Sequence, residues 1–290
     1  MTKAGAGRLY VVATPIGNLG DLSERARSVL ASCALIAAED TRHTGAMLAH
    51  FAISTPMMSL HQHNERRRAE EIVARIAAGA LVALVSDAGT PAISDPGFEL
   101  VRACAEAGLD VVAIPGPCAL VAALSVAALP TDRFCFEGFL PARRSARRAR
   151  LTELRGETRT LVLYESPHRA VETLEDCALV FGVERRAAAA REITKLHETL
   201  YRGTLAELAA RARAEADFTR GEIVLVIAGA PAETAGGADG HGGALDRVLG
   251  PLLAELPLKQ AAELAAQIAS VRHNEAYKRA LALKEAYGAP

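Results

Sequence analysis

Short apolar segments alternate with longer amphipathic segments along most of the chain, and this alternation constrains the fold more than any other feature. The strand-like segments are residues 9–14, 34–38, 81–86 and 110–114, and the helical segments between them are 23–31, 65–78 and 101–107. The first group has the length and β-branched content of buried strands, whereas the second repeats apolar residues at helical spacing. Such alternation predicts an α/β domain with a largely parallel sheet.

A second series of alternating segments begins near residue 131. Its predicted strands are 159–164, 187–193 and 222–228, and its predicted helices are 167–180 and 205–214. The predicted division is therefore an α/β domain at 1–130, a second α/β domain at 131–231, a Gly/Ala-rich linker at 232–243 and a helical tail at 244–290. The tail is compatible either with a helix-turn-helix-like module or with a hairpin that docks on the main body.

Composition excludes some classes of protein. Half of the residues are hydrophobic, which excludes disorder over the whole chain. The formal net charge of −1 neither supports nor excludes an RNA partner, because only a local basic surface is needed. The five scattered cysteines are expected to be buried thiols. The most apolar stretch of the chain is interrupted by residues 115–117, which form a Pro-Gly-Pro sequence. These features predict a cytoplasmic protein without a membrane span.

Three loops at predicted strand ends are rich in glycine, proline and small polar residues. They cover residues 14–18, 86–97 and 115–119. Ligands of parallel sheets bind at the carboxyl ends of strands, so these loops together predict a binding cleft. Their spacing matches neither GxGxxG nor a phosphate loop, which counts against the common nucleotide sites. Asp87 or Asp95 offers a carboxylate for a cationic partner, although Asp95 also suits a helix N-cap ahead of Pro96.

The order of these segments resembles the tetrapyrrole-methylase superfamily and, within it, the ribosomal RNA small subunit methyltransferase I family. The segments that carry the resemblance are 14–19, 38–42, 86–97, 115–117, 137–141, 164–169, 191–195 and 221–222. The resemblance covers about residues 9–230 and, more weakly, the tail. It implies two α/β domains with S-adenosyl-methionine bound in the cleft between them. It further implies a homodimer that methylates the ribose 2′-hydroxyl of a decoding-centre cytidine in the 16S rRNA of the small ribosomal subunit.

The resemblance also implies which residues contact the cofactor. They are Pro15, Gly17, Asn18, Ser86, Asp87, Ala88, Gly89, Thr90, Pro115, Gly116, Pro117, Cys118, Tyr164 and Glu165. The first two loops depart from the glycine-proline-glycine-aspartate and glycine-aspartate-proline patterns of porphyrin-modifying relatives. This departure counts against a tetrapyrrole substrate.

Methyl transfer to a ribose hydroxyl calls for a general base, because the hydroxyl is a weak nucleophile while it keeps its proton. The candidates in the sequence are Glu39, Asp40, His43, His63, Glu65, Asp87 and Glu192. The segment 39–43 is the densest polar cluster after a strand end, and it predicts Glu39, Asp40 and Arg42 as catalytic-site residues. A helix N-cap with a neighbouring salt bridge is the alternative for each of them, and the identity of the base stays open.

Two further clusters bear on metal binding and RNA binding. His61 and His63 lie two residues apart without a third nearby ligand, so no metal site is predicted. An arginine-rich run is predicted to bind RNA, because guanidinium groups stacked on one helix face repel each other unless an anion binds. The run consists of Arg143, Arg144, Arg147, Arg148 and Arg150.

Two other functions remain open at the level of sequence. The first is a methyltransferase of the same superfamily that modifies a tetrapyrrole, another small molecule or a protein side chain. The second is a non-catalytic RNA-binding factor for ribosome assembly that retains the fold.

Overall fold

The computed structural model describes residues 7–231, 241–269 and 271–287. The strands of its first sheet are β1 (Arg8–Val12), β2 (Leu35–Ala38), β3 (Met57–Ser59), β4 (Leu81–Val85) and β5 (Asp110–Ile114). The helices of this domain are α1 (Glu24–Ser32), α2 (Thr41–His50), α3 (Glu65–Ala77), α4 (Phe98–Glu106) and α5 (Ala119–Val126). All pairings in the sheet are parallel, which confirms the predicted α/β class.

The strand order of the first sheet determines where the site lies. The order is β3-β2-β4-β1-β5, so β1 is flanked by β4 and β5. Val12 pairs with Ile114, and Ala38 of β2 pairs with Val85 of β4. Parallel strands end at the same edge, so the loops that follow β1, β4 and β5 lie side by side. The polar residues that follow β2 adjoin the loop after β4.

The second sheet is mixed. Its strands are β6 (Phe134–Phe139), β7 (Thr160–Glu165), β8 (Arg186–Arg191), β9 (Thr199–Thr204) and β10 (Ile223–Ile227). Its helices are α6 (Arg144–Glu153), α7 (Ala170–Phe181) and α8 (Leu205–Ala214). The strand order is β6-β7-β10-β8-β9, with β6 and β7 parallel and the other pairs antiparallel.

Helix α5 joins the two domains. Leu120 and Leu124 of this helix are buried in one hydrophobic cluster with Val162 and Val224 of the second sheet. The backbone amide of Leu120 also donates to the Tyr164 hydroxyl at 3.3 Å. The interface is therefore mainly apolar, which favours a stable cleft between the domains.

Some elements were not predicted from the sequence. Helix α2, strand β3 and strand β9 are absent from the predicted segments, and β8 ends at Arg191 rather than at residue 193. Strand β3 is three residues long, and β9 mixes polar with apolar residues, so neither has a strong periodic signal. Strand β8 stops because Glu192 adopts a left-handed backbone conformation with φ of 50°.

The tail forms three helices with a core of their own. They are α9 (His241–Glu255), α10 (Leu258–Ile268) and α11 (His273–Tyr287). Leu249, Ala265 and Ala276 are buried together, and the Arg279 guanidinium forms two hydrogen bonds with Asp246, at 2.6 and 2.7 Å. Within the predicted linker, residues 232–240 lie outside the described residues, and α9 begins at His241 rather than at residue 244.

Within these described ranges, none of the helices combines the length and apolar character needed to cross a lipid bilayer.

Candidate functional site

Hydrogen bonds fasten the three predicted loops to one another. Thr14 and Gly89 exchange backbone hydrogen bonds of 2.9 and 3.1 Å, and the Thr14 hydroxyl donates to the Ser86 carbonyl at 3.1 Å. The Thr90 hydroxyl donates to the Pro117 carbonyl at 3.1 Å. The loops after β1, β4 and β5 therefore form one rigid rim, as preorganised binding sites require.

A cleft of about 370 Å³ lies between this rim and the second sheet. This volume is in the range of small-molecule sites. The first domain contributes Ile16, Ala88, Gly89, Thr90, Ile93, Ser94, Asp95, Cys118 and Ala119. The second domain contributes Phe139, Tyr164, Glu165, Ser166, Pro167, Glu222, Ile223 and Val224. Apolar walls with a few polar groups suit a ligand that has both a ring system and a charged tail.

The structure divides the predicted cofactor residues into two groups. The residues that line the cleft are Ala88, Gly89, Thr90, Cys118, Tyr164 and Glu165. The residues that lie in the same loops without lining the cleft are Pro15, Gly17, Asn18, Ser86, Asp87, Pro115, Gly116 and Pro117. Ile16 and Phe139 also line the cleft and are absent from the predicted contacts, although each belongs to a segment that carries the family resemblance. Asp95, which the sequence offers as a carboxylate for a cationic partner, lines the cleft as well.

Tyr164 and Glu165 form the floor of the cleft where β7 ends. Glu165 is buried and accepts hydrogen bonds from the Ser166 amide at 2.7 Å, the Thr173 hydroxyl at 2.5 Å and Arg169 at 3.2 Å. These bonds engage both carboxylate oxygens and hold the strand end in place. Burial raises the pKa of Tyr164 to about 12, so its hydroxyl is neutral at physiological pH.

The first loop is covered by a lysine from the second domain. Gly17 has φ of 147°, and a Cβ there would lie 2.2 Å from the Lys195 side chain. The Lys195 ammonium group lies 2.9 Å from Glu192 and 3.2 Å from Glu222. Glycine is needed at position 17 because any larger residue would displace this lysine.

The carboxyl groups of Glu39, Asp87 and Asp95 lie close together near the ends of β2 and β4. The Asp87 amide donates to Glu39 at 3.5 Å, and Asp87 accepts from the Asp40 amide at 2.9 Å. Burial raises the pKa of Glu39. The hydrogen bond from the Asp87 amide opposes this rise, and the negative charges of Asp87 and Asp40 add to it. Burial and the nearby charges of Glu39 and Asp87 raise the pKa of Asp95 to about 7.

Asp40 and Arg42 form a pair at the start of α2. The Asp40 carboxylate accepts from the Arg42 amide at 2.8 Å and forms hydrogen bonds of 3.2 and 2.8 Å with its guanidinium group. Hydrogen bonds from Arg42 hold the pKa of Asp40 well below its usual range. Asp40 therefore acts as the N-cap of α2, which is the alternative that the sequence offered for it. The Arg42 side chain is 90% exposed.

The other candidates for the general base, Glu65, His43 and His63, are not among the residues that line the cleft. Glu65 accepts from the amides of Gly97 and Glu99, both at 2.9 Å, and so caps α4. His43 and His63 are exposed. In the part of the chain that the structure describes, no group of three potential metal ligands is found, and the His61 and His63 rings lie 5.9 Å apart.

Comparisons with known proteins agree with this architecture. Residues 8–209 match the family model described as tetrapyrrole (corrin/porphyrin) methylases, and residues 239–284 match the RsmI C-terminal HTH domain. Over 276 residues the chain is 53% identical to ribosomal RNA small subunit methyltransferase I of Pseudomonas aeruginosa, covering 95% of this chain and 97% of that one. The protein of that name from Escherichia coli O157:H7 is 51% identical, with 95% of each chain covered.

The chain belongs to the ribosomal RNA small subunit methyltransferase I family. The resemblance seen in its motifs is therefore confirmed.

Solved structures of low sequence identity show the same fold. The methyltransferase CobJ superposes with a TM-score of 0.58 at 19% identity, covering 78% of this chain and 95% of that chain. Uroporphyrin-III C-methyl transferase from Thermus thermophilus, solved with S-adenyl homocysteine, has a TM-score of 0.54 at 18% identity. That alignment covers 77% of this chain and 97% of the other.

The arginine run of this family member is largely paired within the protein. Arg147 is fully buried and forms hydrogen bonds of 2.9 Å with both Asp176 and Glu172. Arg144 and Arg148 also contact Asp176, at 3.2 and 2.7 Å. The prediction that Arg147 binds RNA is corrected, because the anion that the sequence argument required is supplied by α7.

The other arginines of the run keep solvent-exposed surface. Arg143 is exposed, and the side chain of Arg144 is 51% exposed. Arg150 pairs with Glu137 at 2.6 Å and with Glu153 at 2.7 Å. RNA binding by Arg143, Arg144, Arg148 and Arg150 stays a prediction, and the internal ion pairs reduce the net charge available for it.

A larger cavity of about 830 Å³ lies along the far part of the second sheet, among residues that include Arg191, Tyr201 and Asp217. Its buried arginine is already engaged, because Arg191 donates to the carbonyls of Arg220 at 2.8 Å and His197 at 3.0 Å. We place the candidate active site in the smaller cleft, where the three loops of the first sheet converge.

Proposed function

We propose that this protein transfers the methyl group of S-adenosyl-methionine to the ribose 2′-hydroxyl of a decoding-centre cytidine in 16S rRNA of the small ribosomal subunit. The observation that carries the proposal is the cleft formed by the three fastened loops and the second sheet. Relatives that align with about 95% of the chain and are named ribosomal RNA small subunit methyltransferase I support the choice of RNA as substrate. The motif resemblance supports the ribose oxygen and the cytidine.

The cleft has the donor and acceptor groups that this cofactor needs. The Gly89 backbone groups already bond Thr14 and the Thr90 hydroxyl donates to Pro117, so the Ala88 amide and the Thr90 hydroxyl oxygen are the groups that suit its amino-acid tail. Ile16 and Phe139 suit its adenine ring. A nearby carboxylate cluster favours a positively charged sulfonium. When bound, the cofactor supplies an electrophilic methyl group. The protein contributes positioning and the exclusion of water.

The predicted catalytic residues receive distinct proposed roles. Glu39 contributes negative charge beside the cleft and orients Asp87 through the Asp87 amide. Asp40 fixes the guanidinium of Arg42, which projects from the start of α2 into solvent. Arg42 is then available to bind a phosphate of the RNA backbone. We further propose that the enzyme acts as a homodimer.

Labelled methyl transfer to small ribosomal subunits that lack modifications tests the reaction and the substrate. We expect incorporation into 16S rRNA, with mass spectrometry of nuclease digests placing the methyl group on a cytidine ribose. Free 16S rRNA and a porphyrinoid serve as alternative acceptors. Transfer to the porphyrinoid alone would support a small-molecule methyltransferase. Cofactor binding without transfer to RNA in either form would contradict the proposal.

Replacing Arg42 with glutamine tests its proposed contact with phosphate. Binding of small subunits is expected to weaken, and the slope of log affinity against log salt concentration is expected to decrease by about 0.7–0.9, because one phosphate contact is lost. Affinity for S-adenosyl-homocysteine is expected to stay unchanged. Arg102→Gln removes an arginine whose side chain is half-exposed and ion-paired with Glu99 on α4, and it serves as the control for loss of a positive charge away from the cleft. Equal salt slopes for the two variants would contradict the assignment.

A further inference from the structure

Asp95 lines the cleft without acting as the helix cap that its sequence context suggested. Helix α4 begins at Phe98, with Gly97 as its N-cap. The backbone amides of Gly97 and Glu99 at this helix end donate to the carboxylate of Glu65, which is buried. The predicted capping role of Asp95 is therefore wrong, because a glutamate from α3 fills it. Asp95 belongs to the wall of the cleft instead, and, besides burial, the charge of its carboxylate contributes to the raised pKa of Tyr164, another lining residue.

The backbone around Asp95 is held in an unusual conformation. Ala92 and Ser94 have φ of 66° and 68°, which is left-handed for residues other than glycine. The Ala92 amide donates to the Pro96 carbonyl at 3.3 Å and closes this part of the loop. On the other side of the cleft, a Cβ at Gly138 would come within 3.2 Å of the Ser94 hydroxyl. The segment that carries Asp95 is therefore closed by its own hydrogen bond and lies close to Gly138 of the second domain.

The titratable groups that act on Asp95 follow or end three strands, and Cys118, Glu165 and Glu222 line the same cleft. Glu39 and Asp87 follow β2 and β4, and both carry backbone hydrogen bonds that fix their carboxylates. Tyr164 at the end of β7 is neutral at physiological pH, because burial raises its pKa to about 12. Asp95 is the member of the carboxylate cluster that reaches the cleft, whereas Glu39 and Asp87 lie behind the lining.

We propose that Asp95 is the general base that removes the proton of the acceptor ribose hydroxyl, an inference that rests on the proposed function. The hydroxyl proton passes to an Asp95 carboxylate oxygen while the ribose oxygen forms a bond to the methyl carbon. The bond between that carbon and the sulfonium sulfur breaks, and its electron pair stays on sulfur as a neutral thioether. Asp95 later releases the proton to water, which restores the carboxylate.

The surroundings of Asp95 suit this task. Burial, with a smaller contribution from the charges of Glu39 and Asp87, raises the pKa of Asp95 to about 7. A hydrogen bond with the Ser86 hydroxyl acts in the opposite direction. A general base works best when its pKa lies near the working pH, because it is then both ionised and basic enough to accept the proton. Glu39 and Asp87 act here as positioning residues that also tune this carboxylate.

The test compares Asp95→Asn with the wild type over a range of pH. Wild-type kcat/KM for methyl transfer is expected to rise with pH and to level off above about 7, since the carboxylate must be ionised. Asp95→Asn is expected to reduce transfer by about 10²–10⁴-fold and to lose this acidic limb. Its dissociation constant for S-adenosyl-homocysteine and its melting temperature are expected to match those of the wild type.

Two further variants complete the experiment. Asp95→Glu keeps a carboxylate and is expected to restore part of the activity with a shifted acidic limb. Asp110→Asn, at the opposite end of the first sheet, is expected to behave like the wild type. An unchanged acidic limb in Asp95→Asn would overturn the assignment, as would a parallel loss of transfer and cofactor binding.

The product of the wild-type enzyme distinguishes the two proposals. A methyl group on ribose, together with full activity of Asp95→Asn, would reject Asp95 as the base and leave the proposed function standing. Wild-type transfer to another atom would reject the proposed function, and with it the ribose proton that Asp95 is proposed to accept.

Discussion

Replacing Asp176 with asparagine is expected to lower the free energy of unfolding by about 3 kcal/mol, because the buried Arg147 guanidinium loses its buried charge partner. Neither side chain is accessible to solvent, and their nitrogen and oxygen atoms lie 2.9 Å apart. The expected loss is at the lower end of the range for broken buried pairs, which is about 3–5 kcal/mol, because Glu172 still contacts Arg147. Urea unfolding at neutral pH measures it.

The effect is expected to depend on pH. Burial opposes ionisation of Asp176, but hydrogen bonds from Arg148, Arg147 and Arg144 outweigh it and lower the pKa. A carboxyl group with a lowered pKa stabilises the fold above its unfolded pKa of about 3.9 and loses this contribution as pH falls through the folded value. The difference between wild type and Asp176→Asn is therefore expected to shrink below about pH 4.

Two variants show whether the buried charge of Arg147, left without its buried partner, causes the loss of stability in Asp176→Asn. Arg144→Gln removes a half-exposed partner of Asp176 and is expected to cost about 0–1 kcal/mol. The double variant Arg147→Met with Asp176→Leu removes both buried charges and is expected to recover most of the stability. A loss below about 1 kcal/mol in Asp176→Asn would contradict the interpretation of this cluster as a structural unit.

Replacing Gly89 with valine is expected to weaken S-adenosyl-homocysteine binding about tenfold to a hundredfold. Gly89 has φ of 80° and exchanges backbone hydrogen bonds with Thr14, and a Cβ there would lie 3.3 Å from Ile16. Valine disfavours this backbone conformation, with strain on the order of 1–3 kcal/mol. Relaxation of that strain moves Ile16 and Thr90, which line the cleft, and a 1.4 kcal/mol loss is about tenfold in affinity.

Gly108→Val is the matched control for Gly89→Val. Gly108 has φ of 67°, and a Cβ there would have no neighbour within 4 Å among the described residues. A similar decrease in melting temperature is expected for both variants, because the backbone strain is similar. Calorimetric titration with S-adenosyl-homocysteine is expected to show weakened binding for Gly89→Val alone. Equal affinities would place the cofactor away from the Thr14–Gly89 bridge.

Much of the site was predictable because its signals are local. The loops after β1, β4 and β5 combine strand ends with glycine and proline, and these features depend on residues that are adjacent in the chain. Predicted lining residues such as Gly89, Thr90 and Tyr164 therefore do line the cleft. The closeness of Asp95 to Glu39 and the pairing of Arg147 with α7 were not predictable in this way, because these partners lie far away in the chain.

The sequence by itself determined the alternation of strands and helices, the positions of the three loops and the helical tail, because periodicity and turn residues act over a few positions. Tertiary structure decided which charges meet. The neighbouring order of β2 and β4 brings Glu39 to Asp87 and Asp95. The packing of α6 on α7 brings Asp176 to Arg144, Arg147 and Arg148. These outcomes depend on distance in space, since electrostatic and desolvation effects follow the separation and burial of groups rather than their order in the chain.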